Sequence, residues 1–189
     1  MPKIVDHDAY REELIQKYFD HFAKRGYADV TMREIARELD VSTGTLYHYF
    51  PSKKSILEHM LKLASRHDMS EAIEHIDENT PAEERIKAFC DYIMEKEDWY
   101  QDIVLLTIDY YRHYGLENTF ELMKEADHYY GNGIAEVVGI EPKYGFLIAI
   151  FFNGLIYHRL VFPDSVSFEE QSELFQKMVM SYLREAGIK

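Results

Sequence analysis

A chain of 189 residues and 22.4 kDa is long enough for one or two compact domains. With 47% hydrophobic residues it is too apolar for intrinsic disorder, and a single cysteine, Cys90, excludes an internal disulfide framework and fits a reducing cytoplasm. The net charge of −13 argues against nucleic acid only until the chain is divided: residues 1–68 carry 11 Lys plus Arg and 11 Asp plus Glu, whereas residues 69–189 carry 10 and 23.

Helix signals follow one another along the chain, and no convincing strand interrupts them. Leu14, Ile15, Tyr18, Phe19 and Phe22 recur at amphipathic-helix spacing, and Gly26 stops that helix behind Lys24 and Arg25. Thr31-Met-Arg-Glu34 is a capping box, followed by the apolar face Met32, Ile35, Ala36 and Leu39. Ser42 caps a helix of two turns anchored by Val41, Leu46, Tyr49 and Phe50. Pro51-Ser52 breaks the chain before a longer helix that carries Ile56, Leu57, Met60, Leu61 and Ala64.

Thr80-Pro81-Ala-Glu83 begins the next helix. Another is expected from Trp99 to Tyr114, ending at Gly115, and one from Asn118 to Val138, with a kink at Gly131 or Gly133. Pro142 to Val161 is nearly all apolar. The longest apolar run of the chain, Phe146 to Phe162, is broken by Asn153, His158 and Arg159 and is short for a membrane span, so a buried helix and no membrane are expected. Ser167-Phe-Glu-Glu170 caps the last helix. The N-terminal residues hold no apolar stretch of signal-peptide length. The expected fold is all-α with about nine helices: a helix-turn-helix domain over residues 1–55 and a helical bundle over 56–189.

The informative stretch is Thr31 to Lys53, TMREIARELDVSTGTLYHYFPSK. About eight helical residues, a three-residue turn (Asp40, Val41, Ser42) and about seven more make a helix-turn-helix. Small Ala36 lets the two helices cross closely, and Asp40 sits where the chain must turn. Thr43, Gly44, Thr45, Tyr47 and His48 then point outward, small or hydrogen-bonding groups suited to a DNA groove.

From Leu14 to Leu57 the chain resembles the DNA-binding domain of the TetR family of bacterial transcriptional repressors. The markers are Phe22 with Arg25-Gly26-Tyr27, Thr31-Met-Arg-Glu-Ile-Ala36, Val41-Ser42, Gly44-Thr45-Leu46-Tyr47-His48-Tyr49-Phe50 and Ser52-Lys53. The resemblance implies a homodimer on a palindromic operator, with a C-terminal domain that dimerises and binds a small effector. It assigns Thr31, Tyr47, Tyr49 and Lys53 to the phosphate backbone and Arg33, Thr43, Gly44 and His48 to base edges; Ser42 and Thr45 complete the candidate set. The departures are Asp40, where many members have Gly, and the neutral rather than basic N-terminal domain, which predicts weak nonspecific affinity.

Residues 99–162 are unusually aromatic. Met94, Trp99, Tyr110, Tyr114, Met123, Tyr130, Phe152, Asn153 and Tyr157 are candidates to line a pocket for an apolar or aromatic effector. The same rings could instead fill the core and a dimer interface. The apolar helices at 143–161 and 168–186 would pair with their twins in a four-helix bundle, a role they usually have in the family. Glu125-Ala-Asp-His128 and Asp109 with His113 have metal-ligand spacing but no facing pair, so no metal or cofactor is expected. Without a nucleophile beside a base, a phosphate loop or convergent carboxylates, the chain reads as a non-enzyme. The alternative reading is a helix-turn-helix protein whose C-terminal part only dimerises or recruits protein partners, without a small-molecule effector.

Overall fold

The computed structural model describes residues 6–185, so Ala186, at the expected end of the last helix, lies outside the described residues. The regular elements among them are all helices: α1 His7–Arg25, α2 Met32–Glu38, α3 Thr43–Tyr49, α4 Lys53–His75, α5 Ala82–Glu95, α6 Glu97–Val138, α7 Pro142–Val161 and α8 Phe168–Glu185. Because α6 breaks at Gly115 (φ 76°, ψ 175°), nine helical segments result. The chain divides into two compact units. One comprises residues up to Ala64 with Asp102–Met123; the other comprises Ser65–Gln101 and the chain from Lys124 onward.

Local capping sets the first unit's helix boundaries. Asp6 accepts the amides of Asp8 and Ala9 at the start of α1, and Gly26, at φ 78°, ends it. The Thr31 hydroxyl accepts the Glu34 amide while the Glu34 carboxylate accepts that of Thr31, closing the expected capping box. Asp40 takes the left-handed conformation at φ 54°; its amide donates to Arg37 O and the Val41 amide to Ala36 O, closing a Schellman-type end. Tyr18, Phe22, Ile35, Leu46, Phe50 and Leu57 fill the core, each contributing on the order of 1.5–3 kcal/mol. Leu106, Tyr110 and Leu122 of α6 complete it.

In the second unit, α5 packs on α8 and both pack on α7. Phe89 meets Phe152 edge-on, and Phe152 stacks on Phe168, while Phe151 stacks on Phe175 at 3.9 Å. Two expectations are corrected here. Gly131 and Gly133 lie in regular helix, because they serve packing rather than bending. A Cβ on Gly131 would come within 2.4 Å of the Phe146 ring, and one on Gly145 within 2.1 Å of the Gly131 carbonyl, so α6 and α7 touch backbone to backbone. Nor is α7 a buried helix. It is long and apolar enough to cross a membrane by length and composition, yet only a third of that span is buried. Tyr144, Ile148, Phe152, Leu155 and Ile156 face inward, whereas Leu147, Ile150, Tyr157 and Val161 are exposed.

Candidate nucleic-acid interface

The turn between α2 and α3 decides what α3 presents. Ser42 caps α3 by accepting the Thr45 amide at 2.9 Å, and its hydroxyl meets that of Thr45 at 2.8 Å. Leu46 is wholly buried against α2, which turns Thr43, Gly44, Tyr47 and His48 to one outward face. Gly44 is exposed with only the Ser42 hydroxyl near the place of a side chain. Tyr47 is half exposed and makes no hydrogen bond among the described residues. A small residue beside an exposed phenol leaves this face open and free of bulk, with a hydroxyl at its edge available to an outside partner.

Other candidates have partners of their own. Thr31 and Ser42 are exposed but engaged as N-caps. Arg33 is exposed with no ion pair among the described residues, whereas Arg25 is held by Glu34 and Glu38. The Thr31 bonds, aided by Arg25, hold the Glu34 carboxyl below its usual range, fixing a negative charge beside the face. Tyr49 is buried, and its hydroxyl bonds His7 Nδ1 at 3.0 Å; His7 and His48 rings meet edge-on. His7 is thus brought to α3 from the start of α1, a neighbour that local sequence spacing did not reveal. Lys53 turns inward, donating to the carbonyls of Tyr27 and Val30 at 2.6 and 2.8 Å, and burial lowers its pKa.

The candidate effector residues are distributed over both units. Tyr110, Tyr114 and Met123 belong to the first, where the Tyr110 hydroxyl donates to Glu58 at 2.7 Å and that of Tyr114 meets that of Tyr27. In the second, Met94 is half-buried and Phe152 lies in the core, while Asn153 and Tyr157 are exposed on α7, with the Asn153 amide returned to Ala149 O. Trp99 and Tyr130 come to one place, around Asp68. That aspartate, 2% exposed, accepts hydroxyl donations from Tyr92, Tyr100 and Tyr130 at 2.8, 2.7 and 3.0 Å. Asp68, Tyr92 and Lys96 were not singled out from sequence. The available signal was an acid standing in the apolar stripe of Leu57, Leu61, Met69 and Ala72 on α4.

Residues 19–60 match the family described as bacterial regulatory proteins, tetR family. The chain is similar to the HTH-type transcriptional regulator BetI of Brucella canis, 32% identical over 117 residues, 60% of this chain and 57% of that protein. It thus spans just over half the length of the curated relatives it matches in this way. A solved transcriptional regulator from Pseudomonas aeruginosa PAO1 superposes with a TM-score of 0.72 at 15% identity, covering 95% of this chain and 92% of that one. A regulator from Saccharomonospora viridis, solved in complex with choline, gives 0.68 at 16%, covering 92% and 96%. Those two likenesses are of fold. Residues 19–60 thus match the tetR family of bacterial regulatory proteins, and the chain around them shares its fold with solved transcriptional regulators.

Proposed function

We propose that this protein is a cytoplasmic transcriptional repressor that binds a palindromic operator as a homodimer and is released by a small, largely apolar or aromatic effector. The outward row Thr43, Gly44, Tyr47 and His48 on α3 carries the DNA-binding part of the reading. Arg33 extends it towards base edges, where a bidentate contact to guanine is worth about 1–3 kcal/mol. Dimerisation is supported by the exposed apolar residues of α7 and of α8, Leu174, Met178 and Tyr182. A dimer sets two reading heads about 34 Å apart, on successive major grooves of one face of the duplex. Repression follows from occupying that face. Reversing occupancy from 99:1 to 1:99 requires the effector to prefer the non-binding conformation by about 5.5 kcal/mol.

The test is selection of a preferred duplex from a random pool, then titration of wild type, Tyr47→Ala and Arg33→Ala against selected and scrambled DNA. Tyr47→Ala should weaken both duplexes alike, and Arg33→Ala should narrow the gap between them. A wild-type protein without sequence preference would overturn the reading.

A further inference from the structure

We propose that Asp68, Glu71, Tyr92, Trp99, Tyr100 and Tyr130 form a cage for an organic cation, a substituted ammonium, in which the Lys96 ammonium sits as a tethered stand-in. The Lys96 Nζ lies 4.6 Å from the Tyr92 ring centroid and 5.5 Å from that of Trp99, both cation–π distances. It is 3.5 Å from Asp68 Oδ1 and is bonded to Glu71. The chain's own cation therefore already occupies the arrangement of aromatic faces and carboxylate that recognises an ammonium group.

Charge points the same way. Two carboxylates face one ammonium, leaving an excess negative charge of which the Asp68 half is buried. His67, 3.7 Å from Glu71, and His75, whose ring lies 5.9 Å from that of Tyr92, are titratable groups at the rim, and Tyr129 acts on Tyr130. Burial and the Asp68 charge push the Tyr100 and Tyr130 hydroxyls far above their usual pKa, so both stay protonated and donate to Asp68. With its oxygens taken up by O–H donors, Asp68 offers a ligand charge rather than coordination sites. A methylated ammonium needs only charge and ring faces, whereas a metal ion would need free oxygens. An anion would add charge to an already acidic site. Lys96 and Glu71, 28% and 35% exposed, mark the open side, and a lysine stem can swing its head into water.

This inference rests on the effector-sensing reading and narrows it to a positively charged ligand. Trp99 is the only tryptophan of the 189-residue sequence, so tryptophan fluorescence of this chain reports the cage. The probes are choline chloride and its uncharged carbon isostere 3,3-dimethylbutan-1-ol, at constant ionic strength set with sodium chloride. Choline should shift Trp99 fluorescence saturably and bind at least tenfold tighter than the alcohol. Asp68→Asn should weaken choline tenfold or more, and Lys96→Ala, which removes the internal competitor, should tighten it severalfold. Circular dichroism checks the folding of both variants; if Asp68→Asn fails to fold, Lys96→Ala against wild type decides. Equal affinity for the two probes, no response to choline, or no gain in Lys96→Ala overturns the cage. Operator binding by the same preparations separates the failures. Intact DNA binding with no choline response sinks the cage alone, whereas choline binding that leaves operator affinity unchanged upholds the cage and sinks the effector-release reading.

Discussion

The Lys53 ammonium lies 2.6 Å from the Tyr27 carbonyl oxygen and 2.8 Å from that of Val30, with the Tyr27 ring 4.2 Å away. A charge at the start of α4 thus closes the loop between α1 and α2, satisfying carbonyls that have left the helix. Lys53→Met keeps the stem and removes these bonds. It should destabilise the protein by about 1–2 kcal/mol, since hydrogen bonds to a charged group are worth roughly 1.5–3 kcal/mol and water recovers part of the loss. Urea denaturation measures this. A residue that only held phosphate would leave the denaturation midpoint unchanged and lower the salt slope of DNA binding by about 1.

Asp40 supports a second prediction. Left-handed backbone costs a non-glycine residue about 1–2 kcal/mol, partly recovered by Asp, while glycine adds roughly 0.5–1 kcal/mol of unfolded-chain entropy. The φ of 54° and the paired Val41 and Asp40 amides are geometry that glycine adopts freely. Asp40→Gly should therefore stabilise the protein slightly, by up to about 1 kcal/mol, and Asp40→Val should destabilise it. Thermal melting distinguishes the two signs.

These two positions also show what was legible in the sequence. The helix-turn-helix could be read because its determinants lie within a few residues of one another: the Thr31–Glu34 box, the Ser42 cap, the turn at Asp40 and the apolar spacing from Ile35 to Leu46. The glycines of α6 could not be told apart in this way. Gly115 breaks the helix, whereas Gly131 does not, and the difference is what arrives from elsewhere: the Phe146 ring presses on Gly131, while nothing lies within 4 Å of the place of a side chain at Gly115. Asp68 was missed for the same reason. Its partners are 24, 32 and 62 residues away, and only the folded chain collects three tyrosine hydroxyls on one carboxylate. His7 reaches Tyr49 across 42 residues.

Glu71 gives a pH signature. The Lys96 hydrogen bond, with its charge, holds the Glu71 carboxyl below its usual value. A carboxylate with a depressed folded pKa stabilises the protein above its unfolded pKa of about 4.3 and loses that contribution as pH falls through the lower folded value. Wild type should exceed Glu71→Gln in stability at neutral pH, by less than about 1 kcal/mol because the side chain is a third exposed. The gap should close below about pH 4. Chemical denaturation at stepped pH checks it, and a gap that persists in acid would show that packing rather than charge is responsible.

Cys90 is buried between α5 and its neighbours, and burial pushes its thiol pKa up to about 12. The reactive species is the thiolate, so at pH 8 the native protein should scarcely react with a disulfide reagent such as Ellman's, while the unfolded chain should release one equivalent quickly. The native rate should follow the opening of the second unit's core. Phe152→Ala, which leaves a cavity beside Phe89, Phe168 and Phe175 and costs about 3–5 kcal/mol, should therefore accelerate it.

The exposed stripe of α7 has a regular spacing: Leu147, Ile150, Tyr157 and Val161, with Gly154 completing the row and nothing within 4 Å of the place of its side chain. Leu174, Met178 and Tyr182 repeat every fourth residue on α8. Such rows fit coiled-coil-like packing of two helix pairs about a twofold axis, with the glycine allowing close approach. Ile150→Glu and Met178→Glu add charge where each side chain is about 70% exposed, so the isolated fold should keep its helicity and midpoint. Sedimentation should show wild type as a dimer and the double variant as a monomer. Binding to a full palindrome should fall to near that of a half-site, because the second head loses the effective concentration that tethering supplies. A variant that remains dimeric would place the interface elsewhere, and one that monomerises yet holds the palindrome as tightly would remove the need for paired heads.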